Sequence, residues 1–586
     1  MHALGTTGLT HVKRTYDTVT LTMADSERQA PNPVATQDED RLAQFGYEQE
    51  LKRDWGLAHN FGVSFSIIVG ARKHPSCQIQ CICILMRDFK SVITGLTTLF
   101  RYGLNTGGPA VMSIGWIVVS FFTLMVAIAM AEIVSAIPTS GGPYFWAAMI
   151  APQRWSAFAA WMTGWFNLLG QVAVTTGISF GLANLIATAA TVKSTTYEPS
   201  ASTTIGIYAA VLVSHGLVNT FGVRVLKHLN NVSIVLHSAG VTAIAVAVLA
   251  KAPKHQSASF VFGYLNDGTG VNGSPGWSER ASPAYLAVCG SLLAQYTLTG
   301  FDASAHLSEE TRNASWSAPI GVVSSVGFSA IFGLLVLLSF LFSIQDLEAT
   351  ISSAYSQPVL QIFIDVFGED GALALFSVII ICVWHCGLFS MTSNSRMMFA
   401  FARDGGIPSF FHQVDARFKS PIKAVWLAAV LSFILALPSL GSDVAFAAAT
   451  SIATIGLYIS YGIPILLGLI WHKEFVAMKG PFDLKGLSRI IAFIAVAWIL
   501  AISVFFVLPT ANPVTSQTLN YTVVAVGIIA VGAIGAWVLW ARKWFTGPAA
   551  EVTEAMERGI DLTDPTAVLG AEKGGKATRT ATEGSD

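Results

Sequence analysis

The sequence contains few charged residues. They make up 12% of its 586 residues, about half of the roughly 25% typical of soluble domains, whereas hydrophobic residues make up 53%. The net charge is -1 and no basic block is present, which excludes nucleic acid as a partner. Such a chain is expected to be embedded in a lipid bilayer.

Cysteine is also scarce, with six residues in the whole chain. No two of them form a CxxC pair, and none has the Cys/His spacing typical of zinc sites. Cys289, Cys382 and Cys386 lie in apolar runs and read as small buried hydrophobes. We therefore expect no metal and no cofactor.

Long apolar runs are what the sequence does contain. A membrane span needs about 20 mostly apolar residues, and twelve such segments occur if one interruption in the first is discounted. We predict an all-α integral membrane protein with about 12 transmembrane helices. The approximate cores are 57–104, 110–137, 157–186, 205–221, 232–249, 285–307, 320–342, 372–401, 424–437, 444–470, 490–508 and 521–540.

The basic residues predict the orientation of the spans. Lys and Arg concentrate in the even-numbered loops and after the last span, and such loops stay on the cytosolic side. Both termini are therefore expected in the cytosol. Residues 1–55 read as a mostly disordered tail, 56–544 as the twelve-span core, and 545–586 as a cytoplasmic C-terminal tail. No cleavable signal peptide is expected, and Met23 is an alternative start to Met1.

Two apolar segments are broken by Gly and small polar residues, 62–66 in span one and 297–306 in span six. Inside a membrane, non-helical backbone is tolerated where it lines a cavity, so such breaks in corresponding spans point to a substrate site. The alternative is that small residues only let helices pack closely. The predicted substrate-binding residues are Gly62, Val63, Ser64, Phe65, Ser66, Thr299, Gly300, Phe301, Asp302 and Ala303.

A few ionisable residues lie at or near membrane depth, where charge is costly and usually functional or paired. Asp302 is a candidate for substrate or proton handling. Glu132 is a second, with a simple interfacial position as the alternative. His306, Glu309 and Glu310 are expected at the inner mouth, either as a gate of salt bridges or as a solvated helix end.

Four separated segments resemble the amino acid-polyamine-organocation (APC) permeases, and within them the fungal branch of GABA, choline and amino-acid permeases. They are AEIVSAIPTSGGPYFWAA (131–148), GFDASAHLSEETRNAS (300–315), NSRMMFAFARDGGIPSFFHQVDARFKSPIKAVW (394–426) and IGLYISYGIPILLG (455–468).

The resemblance implies a LeuT-like fold of 5+5 inverted repeats plus two C-terminal helices. It further implies a secondary transporter, usually driven in fungi by the proton gradient. The break in span one would then face the substrate carboxylate and the break in span six its amine. Asn167 and Tyr458 are placed near the cavity by their spans alone, and the 140–143 loop is expected to be structural.

A transporter of amino acids or related amines, such as GABA, choline or a neutral amino acid, is the leading function. A nutrient sensor on the same fold and a polyamine transporter are alternatives. An enzyme is not expected, because the sequence shows no cluster of His, Asp and Glu at one membrane depth. The plasma membrane is the expected location, with the vacuolar membrane as the alternative, and the oligomeric state is open.

Residues 69–90, VGARKHPSCQIQCICILMRDFK, interrupt span one with charge and with three of the six cysteines. Joining Ile68 to Ser91 would give one continuous span. Every Val codon begins with GT and a Lys codon can end with AG, so we predict that this stretch is an unspliced intron. A re-entrant loop lined by Cys77, Cys81 and Cys83 is the alternative.

Overall fold

The computed structural model describes residues 92–548, except 195–196, 222, 441–444 and 479, together with residue 42. The predicted tails up to residue 55 (apart from residue 42) and from 549 onward, the suspected insert and the predicted contacts Gly62, Val63, Ser64, Phe65 and Ser66 lie outside the described residues. In the described part every named element is helical, and extended pairing is limited to two isolated bridges.

The described helices follow one another in the order expected of a polytopic membrane protein. They are α1 Val92–Asn105, α2 Gly108–Ala136, α3 Pro143–Ile150, α4 Gln153–Thr191, α5 Ala201–Phe221, α6 Val223–Val235, α7 Val241–Lys251, α8 Ala258–Gly263, α9 Trp277–Arg280, α10 Pro283–Gly290, α11 Leu292–Thr297, α12 Ala303–His306, α13 Ala314–Phe342, α14 Leu347–Ile351, α15 Pro358–Arg403, α16 Ile422–Ala436, α17 Ala445–Ile470, α18 His472–Ala477, α19 Ser488–Phe505 and α20 Thr522–Leu539. A π-helical turn, Leu236–Gly240, joins α6 to α7.

Among the described residues, ten helical segments are long and apolar enough to cross a membrane. They comprise α2, α4, α5, α6 with α7, α13, α15, α16, α17, α19 and α20. The two predicted spans missing from this set are the first, represented by α1, and the sixth, which is divided among α10, α11 and α12. The all-α, twelve-span architecture predicted from the sequence is thus confirmed.

The buried fraction of each span indicates how near it lies to the centre of the bundle. The most apolar window of α4 is 83% buried, whereas that of α20 is 11% buried. Both helices are apolar around their circumference, so α4 meets other helices on all sides while α20 turns most of its surface to lipid. Helix α4 packs against α17 and α15 and forms one wall of the region where span six breaks.

Span six loses its helical path between Thr297 and Ala303. Gly300 has φ +98°, a conformation that L side chains rarely adopt and that glycine accommodates without a steric penalty. Helix α11 ends before this residue and α12 begins after it. The structure therefore breaks span six within the segment that the sequence singled out.

Spans one and six touch closely just before this break. A Cβ atom on Gly95 of α1 would lie 2.3 Å from Thr297 Oγ1, so only glycine allows this approach. Close packing through a small residue, the alternative role proposed for such residues, is what the structure shows at Gly95.

The two ends of the bundle differ in how many Lys and Arg residues lie at them. We call the basic end the one that carries the loops 137–142, 307–313, 404–421 and 471–487, which include Arg312, Arg417 and Lys473. At the opposite end, Asp267 accepts hydrogen bonds from the backbone N–H groups of Thr269 (3.0 Å) and Ser278 (2.7 Å) and from both hydroxyls. Burial alone would raise the pKa of Asp267, but these hydrogen bonds outweigh it and lower the pKa.

Candidate functional site

Aromatic side chains from span ten enclose the break in span six. The ring of Phe301 lies 5.3 Å from that of Tyr461 and 6.3 Å from that of Tyr458, measured between centroids, and the two tyrosine rings are 5.5 Å apart. All three side chains are buried. Two residues predicted separately, Phe301 and Tyr458, are thus brought together.

Asp302 is buried beside these rings, with 1% of its surface exposed. Gln171 of α4 donates a hydrogen bond from Nε2 to Asp302 Oδ2 at 2.8 Å. His306 Nε2 lies 3.3 Å from the same oxygen. Tyr461 of span ten interacts with this carboxylate electrostatically, without a hydrogen bond. Asp302 therefore has close polar contacts from spans three and six.

A second polar side chain of span six, Gln295, links three other spans. Its Nε2 donates to Thr123 Oγ1 of α2 (3.2 Å) and to the hydroxyl of Tyr458, and its Oε1 accepts from Trp498 Nε1 of α19 (3.0 Å). Thr299, within the break, donates its hydroxyl to the Gln295 carbonyl at 2.7 Å. These bonds fix α11 and the start of the break to the surrounding bundle.

After the break, Ala303 is the first residue of α12 and packs against apolar side chains of spans five and eight, namely Leu226, Leu388 and Phe389. The same short helix then presents His306 to the loop that precedes α3. His306 Nδ1 lies 2.9 Å from the carbonyl oxygen of Ser140. This loop, which the resemblance assigned a structural role, thus contacts a candidate site residue directly.

Glu309 binds that loop and span eight at once. Its Oε1 accepts from the backbone N–H (2.9 Å) and the hydroxyl (2.6 Å) of Ser140. Arg403, near the end of α15, donates to Oε1 at 3.2 Å and to Oε2 at 3.3 Å. Burial alone would raise the pKa of Glu309, but the Arg403 guanidinium and the Ser140 bonds hold it below its usual range. Glu309 is therefore ionised at neutral pH.

Glu310 makes a second ion pair with span eight. Arg396 Nε donates to Glu310 Oε1 at 2.9 Å, and the two side chains are 1% and 6% exposed. Of the two alternatives for the end of span six, a solvated helix end does not describe this structure. The charges are instead buried and paired with the arginines of α15.

Glu132 lies apart from this group. It is 2% exposed, and its two carboxylate oxygens accept from the backbone N–H of Leu484 (3.0 Å) and from Ser488 Oγ (2.6 Å). It therefore anchors the segment that leads into α19 at the basic end. The structure does not bring Glu132 into contact with the break.

Asn167, predicted to line the cavity, donates from Nδ2 to Ser460 Oγ of span ten at 3.0 Å, so its bond is to span ten and not to the break in span six. Sequence reasoning missed Gln171, one helical turn further along α4. It also missed the roles of Gln295, Tyr461 and the two arginines. The signal that the sequence offered for Gln171 and Gln295 was a polar side chain within a membrane-spanning segment.

The described residues offer no group of three or more His, Cys, Asp or Glu side chains that could hold a metal ion. A cavity of about 780 Å³ lies between Trp161 and Trp165 of α4, the 405–409 loop and α20. Its lining is apolar and includes no break residue. Around the break, the side chains of Phe301, Asp302 and Ala303 are buried, whereas Thr299 and Gly300 are partly exposed.

Several known proteins are similar in sequence to this chain over most of its length. Residues 80–531 match the family described as amino acid permease. The chain is 40% identical over 526 residues to the amino-acid permease BAT1 homolog of Oryza sativa, covering 87% of this chain and 95% of that protein. It is 39% identical to the amino-acid permease BAT1 of Arabidopsis thaliana, covering 89% and 98%. It is 31% identical to the GABA-specific permease of Saccharomyces cerevisiae, covering 90% and 89%.

Proposed function

Because this chain belongs to the amino acid permease family of the APC superfamily, we propose that it is a proton-coupled secondary transporter of amino acids or related amines that works by alternating access. Its membership of a family of transporters already makes it a multi-pass membrane protein that carries amino acids, and not an enzyme. The coupling ion, the mechanism and the site residues are what the proposal adds.

The observation that supports it is the break in span six. Between α11 and α12, the backbone carbonyl groups of Leu298 and Thr299, which could accept from an amine, accept no backbone hydrogen bond from any described residue. Interrupted backbone at membrane depth leaves polar groups that a substrate can satisfy. We place the substrate amine here, beside the carboxylate of Asp302, and the substrate carboxylate at residues 62–66 of span one.

The two ion pairs at the basic end would act as the inner gate. Glu309 with Arg403 and Glu310 with Arg396 join the end of span six to span eight. When these pairs separate, span six would be free to move relative to span eight and open the site. We place the basic end in the cytosol, with both termini, because Lys and Arg accumulate in cytosolic loops, and we place the protein in the plasma membrane.

Substrate uptake by purified protein in liposomes tests this proposal. Radiolabelled amino acids, GABA, choline and polyamines should be offered with an acidic exterior, using both the full chain and a form with Ile68 joined to Ser91. We expect an amino acid or amine to accumulate, and accumulation to collapse when a protonophore removes the pH gradient. Folded protein that moves none of these solutes would overturn the proposal.

A matched pair of variants locates the site. Asp302→Asn removes the buried charge at the break, whereas Asp346→Asn removes an exposed carboxylate that caps α14 at the opposite end. We expect the first to lose accumulation and the second to keep it. Equal uptake by both variants would remove Asp302 from the site.

A further inference from the structure

We infer that the closed basic end holds one bound proton, shared by Asp302 and His306, and that losing this proton releases the 140–142 loop from span six. This inference rests on the proposed function and specifies how the proton would act at that site. It is carried by the contacts of the two side chains with each other and with Ser140.

The partners of His306 fix the position of its first ring proton. Nδ1 lies 2.9 Å from the carbonyl oxygen of Ser140. A carbonyl oxygen only accepts hydrogen bonds, so Nδ1 must carry the hydrogen of that bond. In a neutral imidazole the other nitrogen, Nε2, would then present a lone pair.

Nε2 faces the carboxylate of Asp302 at 3.3 Å. This contact has the separation of an ion pair without the alignment of a linear hydrogen bond. Both side chains are buried, at 0% and 1% exposure, so water cannot separate a lone pair from an ionised carboxylate there. Such an arrangement is repulsive, and one additional proton removes the repulsion.

The proton count does not depend on which residue carries that proton. Imidazolium with carboxylate, and neutral imidazole with carboxylic acid, both hold one proton more than neutral imidazole with carboxylate. The hydrogen bond from Gln171 to Asp302 Oδ2 (2.8 Å) favours the first form, because an ionised oxygen can accept from two donors. In either form the pair binds one proton.

No other described cation neutralises Asp302. Gln171 faces it from α4, and Tyr458 and Tyr461 face it from α17. The nearby guanidinium groups of Arg396 and Arg403 are paired with Glu310 and Glu309. Within the described part of the chain, the charge of Asp302 is therefore balanced at His306.

The 140–142 loop is shaped to the His306 ring. Gly142 has φ +57°, and a Cβ atom there would lie 2.9 Å from His306 Cε1. The carbonyl oxygen of Ser140 accepts a hydrogen bond from His306, and the N–H and hydroxyl of Ser140 donate to Glu309. If the proton leaves, the ring must move away from Asp302, and its bond to the Ser140 carbonyl is lost with that movement.

The consequence is a direct coupling of proton release to opening. A proton taken from the acidic exterior would stabilise closure of the basic end. Opening toward the cytosol would expose the pair, and the proton would pass to water there. Glu309 cannot be the group that binds and releases this proton, because its lowered pKa keeps it ionised at neutral pH.

The direct test measures proton and substrate movement together in liposomes, with a pH-sensitive dye inside and a labelled amino acid outside. His306→Gln keeps a hydrogen-bonding side chain but cannot be protonated. His255→Gln is the matched control, an exposed histidine at the opposite end. We expect His306→Gln to lose at least tenfold in the number of protons moved per substrate molecule, and the control to match wild type.

The outcomes separate this inference from the proposed function. If His306→Gln retains the wild-type ratio of protons to substrate, the shared-proton inference is wrong while proton-coupled transport stands. If the wild-type protein moves substrate without protons, the proposed coupling fails and takes the inference with it. If the wild-type protein couples substrate to protons and His306→Gln exchanges substrate without moving protons, the result supports both the proposed function and this inference.

A second measurement leaves the pair intact and does not depend on the folding of a His306 variant. Ser308 is buried next to Glu309, so Ser308→Cys reports opening of the basic end to a membrane-impermeant maleimide. The labelling rate is corrected for the fraction of the introduced cysteine that is thiolate at each pH. We expect the corrected rate, measured without substrate, to rise at least fivefold between pH 5.5 and 7.5. A flat profile would overturn the inference.

Discussion

Replacing Glu309 by Gln should open the basic end. Glu309 is held by Arg403 and by two bonds from Ser140, so it joins span six, span eight and the 140–142 loop. Gln has nearly the same shape but carries no charge. It keeps an oxygen that accepts from Ser140, and it loses the ionic part of the contact with Arg403.

The size of the effect follows from the burial of the pair. The side chains of Arg403 and Glu309 are 9% and 2% exposed and approach to 3.2 Å. Removing one member of a buried pair typically costs about 3–5 kcal/mol, because the other charge stays buried without its partner. Arg403 retains Asp404 at 3.5 Å, so we take the lower value, about 3 kcal/mol. At about 1.4 kcal/mol per tenfold change, the ratio of open to closed basic end rises roughly 100-fold.

Labelling of Ser308→Cys from the basic end measures this ratio. In the closed structure the side chain at this position is buried, so labelling requires opening. We expect the Glu309→Gln background to label about 100-fold faster. Glu369→Gln is the control, because it removes a carboxylate whose pair with Lys193 is half exposed on both sides and is worth little.

A labelling rate in Glu309→Gln within twofold of the parent would refute the gate. Thermal unfolding of the same variants measures whether the substitution also changes the stability of the fold. If the variant loses stability but labels at the parental rate, the ion pair stabilises the fold and does not control access to the site.

Three further predictions concern other parts of the molecule. Gly300→Ala should lower uptake and destabilise the closed form by about 1–3 kcal/mol, measured by flux and thermal unfolding, since φ +98° is strained for alanine although the space is open. Proteolysis of the Asp267 loop should accelerate as the pH falls. Its depressed pKa means that the stabilisation is complete above about pH 3.9, the unfolded value, and is lost below it. Glu132→Ala should cost about 3 kcal/mol of stability, seen in thermal unfolding, by releasing Leu484 and Ser488, with the proton-to-substrate ratio unchanged.

The sequence was sufficient to predict the spans and the position of the break in span six. Apolar runs of bilayer length determine where helices cross, and Gly300 within such a run can adopt a conformation that other residues resist. Boundaries were less predictable. Helix α15, for example, is interrupted at Gly368 (φ +72°), which separates a short helix, 358–367, from the span whose start was predicted at 372.

The partners of the site residues could not be predicted. Arg396 and Arg403 counted only as basic residues near a cytosolic loop, yet the fold buries them against Glu310 and Glu309. The sequence also showed no cluster of ionisable residues at one depth. One forms because span eight, about 90 residues further along the chain, supplies the cations. Pairing across that distance depends on helix packing, which no local pattern encodes.

The suspected insert, residues 69–90, remains a prediction. Joining Ile68 to Ser91 gives one apolar run of bilayer length, whereas the stretch between them carries Arg72, Lys73, Arg87, Asp88 and Lys90. Charge in a segment of this kind is costly unless it is paired. The messenger RNA across this junction therefore decides which chain the transport experiments should use.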